Sequence, residues 1–240
     1  MEYGLFEYAS APHIFLNRTG VGPLHVAWDT NILIDYLQFG RALWNDEALD
    51  IENPQHAEQV DAIGQIIDPY FCFWDVRIHL FEEILDDAKR QLSIERRSDR
   101  EHALERFARA LMYADWSEDD EGEPEPVDVR GWSGQDPLFD TQAVPHILPS
   151  LHQRLIDALP DGHDRILVNE AVERGIHLFL TQDRGILKAA PLARTVGLVL
   201  TSPVGLLQLF EEAGISPLQF PMPDLARISK VIEALPSGPA

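Results

Sequence analysis

The stretch His25-Val26-Ala27-Trp28-Asp29-Thr30-Asn31-Ile32-Leu33-Ile34-Asp35-Tyr36-Leu37 decides the fold. Its first four residues read as a short apolar strand, and Asp29, Thr30 and Asn31 form a polar triplet where that strand ends. Beyond the triplet, Ile32, Leu33, Tyr36 and Leu37 recur at helical spacing. A strand feeding directly into a helix is the opening of an α/β unit.

Working outward, residues 55–67 form a second helix that Asp68-Pro69 ends, because the residue before proline resists helical dihedrals. The aromatic run at 70–74 is expected as a short strand. Asp75 is then placed to cap a helix whose apolar positions Ile78, Phe81, Leu85, Ala88 and Leu92 share one face, with Glu82 and Glu83 adjacent on it. Another helix is expected at 100–114. After it, residues 115–149 carry acidic, Gly and Pro-rich sequence with no regular pattern. Regularity returns from residue 150: helices at 150–159 and 164–174, a strand at 177–180, a short helix after Asp183, a strand at 196–200 and a helix at 204–212. Strands alternating with helices imply a parallel sheet covered on both faces, and Gly175 and Gly214 stand where helices stop. A last helix fits 224–235, and no internal repeat is present. The organisation read from this is an N-terminal extension at 1–23, one α/β domain at 24–215 with an insertion at about 98–149, and a C-terminal tail at 216–240.

With 240 residues, 45% hydrophobic and 25% charged, the chain is of ordinary globular composition and can bury a full core. The one cysteine, Cys72, has no disulfide partner within the chain and reads as a buried thiol in a reducing compartment. The N-terminal residues lack a basic stretch followed by an apolar core, and no apolar run reaches the ~20 residues a bilayer requires. The expected location is cytoplasmic, with no membrane partner. The formal net charge of −21 opposes binding to phosphate chains, but the charge is uneven. Residues 89–109 hold seven basic side chains against four acids, among them Arg96, Arg97 and Arg100, a candidate basic arm for substrate. Residues 115–128 hold eight acids and no base, and read as a solvated loop that could compete for that arm.

In open parallel sheets ligands bind outside the carboxyl ends of the strands, which directs attention to Asp29 and to Asp183 in Leu180-Thr181-Gln182-Asp183-Arg184. Either could simply cap the helix that follows it. Asp35, Asp86, Asp87, Asp161 and Glu170 are expected on solvated helix surfaces. There is no Walker-type glycine loop and no HExxH pattern among nine histidines, and Gly131-Trp132-Ser133-Gly134-Gln135 misses the nucleophile-elbow pattern.

Asp29-Thr30-Asn31 after a strand, a helix bearing Glu83-Ile84-Leu85, Asp164-Arg165-Ile166-Leu167-Val168-Asn169-Glu170-Ala171, and Thr181-Gln182-Asp183 occur in an order that resembles the PIN-domain family. The resemblance covers about residues 24–90 and 150–212. It implies a three-layer α/β/α PIN-like fold with a central parallel sheet, carrying here a helical and acidic-loop insertion. It also implies that Asp29, Glu83, Asp164 and Asp183 converge on Mg²⁺ or Mn²⁺, with Asn31 and Thr181 orienting the first and fourth acids. Glu82 stands as the alternative to Glu83, because it lies nearer the apolar helical face.

Crowded carboxylates repel one another and raise their own pKa values unless a cation neutralises them, and oxygen-only donors suit hard Mg²⁺ or Mn²⁺ rather than zinc. The function the resemblance implies is a metal-dependent endoribonuclease that hydrolyses RNA phosphodiester bonds to a 3′-hydroxyl and a 5′-phosphate. A toxin of a toxin–antitoxin pair is one version of it, with a protein inhibitor or antitoxin and a homodimer as its partners. The alternative is a catalytically inactive PIN-fold protein acting as an interaction module.

Overall fold

A computed structural model describes residues 4–90, 94–115, 148–160, 162–217 and 225–236, with side chains for all of these except 68, 89–98, 112–115 and 225–227. In chain order the elements are β1 (Phe6–Glu7), α1 (Pro12–Phe15), β2 (Val21–Gly22), β3 (Leu24–Trp28), α2 (Thr30–Trp44), α3 (Pro54–Gln65), α4 (Phe71–Phe73), β4 (Val76–His79), α5 (Glu82–Arg90) and α6 (Ile94–Asp115). There follow α7 (Pro149–Ala158), α8 (Gly162–Glu173), β5 (Leu178–Leu180), α9 (Arg184–Leu187), α10 (Ala190–Thr195), β6 (Val199–Thr201), α11 (Pro203–Glu212) and α12 (Leu225–Ala234).

Four strands form a parallel sheet in the order β4-β3-β5-β6. All five residues of β3 are buried, as a strand covered on both faces must be. This mixed α/β architecture is compatible with three layers. Strands β1 and β2 form a separate antiparallel pair. From β3 the chain moves to β4 on one side and later returns to β5 on the other, so the switch of direction falls between β3 and β5. Ligand crevices open at such a point, outside the carboxyl ends of the strands.

Two expectations around residue 75 are corrected. The run at 70–74 is not a strand: the chain passes from α3 through a wide π-type turn at Ile66–Tyr70 that contains Pro69, then stays helical through α4. The strand is β4 instead, occupying what the spacing of Ile78 and Phe81 suggested as helix. Val76 and Ile78 are β-branched and alternate, and they pair in register with Leu24 and Val26 of β3, burial that favours an extended chain. Asp75 therefore precedes a strand, where it holds Arg77 in an ion pair, and the helix begins only at Glu82.

One core runs through the described residues. The extension at the start contributes Phe6, Ile14 and Phe15 to it, and the tail contributes Ile228, Val231, Ala234 and Leu235. Helix α12 packs along α6, whose Leu104, Phe107, Ala108 and Leu111 are buried in the same core. The carbonyls at the end of α12 are held by Arg106, which donates to Ala234, and by Arg41, which donates to Leu235 and Pro236. Cations at a helix C-terminus satisfy its orphan carbonyls and complement its dipole. Arg18 does the same at the end of α8, donating to the carbonyls of Gly175 and Ile176. No helix among the described residues is long and apolar enough to cross a membrane.

Candidate functional site

Strand β3 ends at Trp28, which pairs with Leu180 of β5. The Asp29 backbone N–H donates to the Leu180 carbonyl at 2.9 Å. The residues that follow the two central strands are thereby held side by side, Asp29 after β3 and Thr181 to Asp183 after β5.

Asp29 is the N-cap of α2, its Oδ1 accepting from the Thr30 N–H at 2.7 Å. Its Oδ2 accepts from Asn31 Nδ2 at 2.6 Å and from the Thr181 hydroxyl. Only 6% of the residue is exposed. Burial raises its pKa above the usual carboxylate range, the three hydrogen bonds oppose that rise, and the charge of Asp183 adds to it. Capping alone does not explain a side chain this enclosed with a second acid nearby.

Thr181 and Asn31 bind the two strand ends together. The same Thr181 oxygen that serves Asp29 accepts the Asp183 N–H at 2.9 Å, and Asn31 Oδ1 accepts the Gln182 N–H at 3.1 Å. Asp183 is exposed, and caps α9 by accepting from the N–H groups of Gly185 and Ile186.

Glu83 lies in the first turn of α5, half-buried, whereas Glu82 is exposed. The reason is the packing of α8 against α5, which covers the flank that carries Glu83. Glu83 meets Glu170 of α8 in a carboxyl-to-carboxyl hydrogen bond, and burial together with that bond pushes Glu170 up to about 7. Arg174, one turn on, pairs with Glu170 and lies over the Phe81 ring. Asp164 is in the first turn of α8, next to His163, which stands 3.8 Å from Asp87.

Of the four expected acids, the contacts above join Asp29 to Asp183 and tie Glu83 to Glu170. Among the described residues no three carboxylate, histidine or cysteine side chains form a group able to hold a metal ion. Asn31 and Thr181 both donate to Oδ2 of Asp29. Of the candidate basic arm, Arg96 and Arg97 have side chains outside the described residues. Arg100 is buried, and burial lowers its pKa, so this guanidinium is turned into the fold instead of toward an RNA chain. The acidic stretch beyond residue 115 also lies outside the described residues.

Two acids expected on solvated surfaces are not there. Glu170 is the first. Asp35 is the second, buried, with its Oδ2 shared by His56 Nε2 at 2.8 Å and Gln182 Nε2 at 2.7 Å. The signal for Asp35 was present: it follows Asn31 by four residues, so it shares Asn31's face of α2. A separate cavity of about 230 Å³ opens between α2, α3 and α12, lined by Tyr36, Leu43, Trp44, Asp61 and Ile232 among others. None of the four acids lines it. Comparison of the chain with family models, with curated proteins and with solved structures found no match.

Proposed function

We propose that this chain is a divalent-cation-dependent endoribonuclease of PIN type, with Asp29 at the centre of its site. The observation that carries the reading is Asp29 itself. It is a buried carboxylate at the switch point of a parallel sheet, gripped by three donors and pushed toward protonation by burial and by Asp183. An anion so placed gains most from a positive charge sharing the crevice. The ligand atoms that Asp29 and Asp183 offer are hard carboxylate oxygens, which fit Mg²⁺ or Mn²⁺.

Asp29 and Asp183 would hold the ion, with Glu83 and Asp164 as candidates for completing the set. When bound, the ion would neutralise the carboxylates and polarise the scissile phosphodiester. The chain's own contribution is orientation. Thr181 fixes Oδ2 of Asp29 and the backbone of Asp183 with one hydroxyl, and Asn31 donates to the same Oδ2 while holding Gln182. The expected products carry a 3′-hydroxyl and a 5′-phosphate.

The test is Asp29→Asn in purified protein with Mn²⁺ and single-stranded RNA. Asparagine still caps a helix, but its NH2 edge faces groups that donate to Asp29, so the variant should melt somewhat lower than the wild type, and cleavage measured well below that melting temperature, where circular dichroism shows it folded, should drop to background. Undiminished cleavage rejects the site.

A further inference from the structure

An acidic crevice in a chain of net charge −21 needs cations at its rim if it is to seat a phosphate chain. The basic helix α6 spends Arg106 on the end of α12 and buries Arg100. The first turn of α3 supplies what α6 does not. Asn53 caps that helix and Pro54 opens it, so Gln55 and His56 are fixed in the turn directly after the cap.

Both residues are pinned to the loop that carries Asp183. Arg184 Nη2 donates to Gln55 Oε1 at 3.1 Å. His56 Nε2 meets Asp35 Oδ2, which also accepts from Gln182 Nε2. Gln182 and Arg184 are the two sequence neighbours of Asp183, so its flanks reach Gln55 on one side and His56, through Asp35, on the other. Farther along α3, Gln59 Oε1 accepts the Val204 N–H at 3.3 Å, tying the helix to the first turn of α11 as well. The Arg184 side is exposed and the His56 ring is about one-third exposed, whereas Asp35 behind it is buried.

We propose that His56 and Arg184 form a clamp for the phosphodiester backbone of single-stranded RNA beside Asp183, an inference that rests on the nuclease reading above. Gln55 takes one of the five guanidinium N–H donors of Arg184, leaving a fork that suits two phosphate oxygens. His56 is held by Nε2 against Asp35, so its ring is aimed by a buried carboxylate and presents the Nδ1 edge. With Nε2 turned to Asp35, the Nδ1 edge is the one left to meet the phosphate chain. Asp35 and Gln55 are positioning residues, and they explain why a carboxylate and an amide are placed behind a surface histidine and arginine.

The test measures binding of a fluorescein-labelled single-stranded RNA by anisotropy with Ca²⁺, across a salt titration, and cleavage with Mn²⁺. Arg184→Gln and His56→Gln should each weaken binding several-fold, raise KM and leave kcat within about twofold of the wild type, since a contact made equally in ground and transition states acts on KM. Arg184→Gln should also lower the slope of log affinity against log salt by about 0.7, the value for one phosphate contact on a single strand. Arg184→Lys keeps the charge and should retain the wild-type slope. If both glutamine variants match the wild type in affinity and slope while the wild type cleaves RNA, the clamp is wrong and the nuclease reading stands. If the wild type neither binds nor cleaves RNA, both fall together.

Discussion

The hydroxyl of Thr181 reaches Oδ2 of Asp29, a residue 152 positions away in sequence. Among the described residues it is the one side chain that hydrogen-bonds both Asp29 and the backbone of Asp183. Thr181→Val preserves shape but removes both bonds, leaving a buried carboxylate oxygen with Asn31 alone and the Asp183 N–H without its acceptor. A buried group deprived of a partner costs about 1–3 kcal/mol. Urea unfolding should show a loss of that size for Thr181→Val and little loss for Thr181→Ser, which keeps the hydroxyl. Equal stability of the two variants would show that the bond is energetically idle.

Glu170 gives a pH signature. Its folded pKa of about 7 lies above its ordinary value of 4.5, so between those values the folded chain holds a proton that the unfolded chain has lost. The stabilising contribution is complete below pH 4.5 and is lost as pH rises through 7. Glu170→Gln carries no such charge, so it should melt above the wild type at pH 8, with the gap closing toward pH 5. A gap independent of pH contradicts the assignment.

Acid acts in the opposite sense, through three buried histidines, His25 on β3, His79 on β4 and His177 just before β5. His25 Nδ1 lies 2.9 Å from His79 Nε2, and the His25 N–H donates to His177 Nδ1 at 3.0 Å. Burial depresses all three, His79 to about 3. A depressed histidine leaves the unfolded chain binding more protons below pH 6.5. Stability present above 6.5 is therefore lost as pH falls toward 3, at about 1.4 kcal/mol per pH unit for each fully buried ring. His79→Gln should unfold less steeply between pH 6.5 and 4.5 than the wild type does in urea titrations. Identical slopes would remove His79 from the acid response.

The parts of the fold that were legible are those where one pattern had one reading. His25 to Leu37 carries its polar triplet at the junction of strand and helix, and from residue 150 onward strands and helices alternate, ending as β5, β6 and α11 near their expected places. Residues 70–81 misled because an aromatic run resembles a buried strand, while Ile78, Phe81 and Leu85 happen to keep helical spacing across a boundary that pairing with β3 sets. Asp29 drew attention because it follows a strand end, whereas Asn31 and Thr181 came only from the family resemblance. Glu170 was not legible: periodicity shows which face of a helix is apolar, but not which flank another helix will cover, and α5 supplies the acid that shifts it. The role of Arg106 was equally hidden, since its partner carbonyl is 128 residues away.

The embrace of α6 by α12 also sets a schedule. Leu104, Phe107 and Leu111 leave the ribosome well over a hundred residues before Ile228, Val231 and Leu235 arrive to shield them. Phe107 meets Trp28 and Tyr36, which are made earlier, but until α12 is made the flank of α6 that it covers stays bare, the kind of surface on which partly made proteins cling to one another or are caught by chaperones. Maturation of the whole molecule thus waits on a helix synthesised long after Asp29 and Asp183 have been.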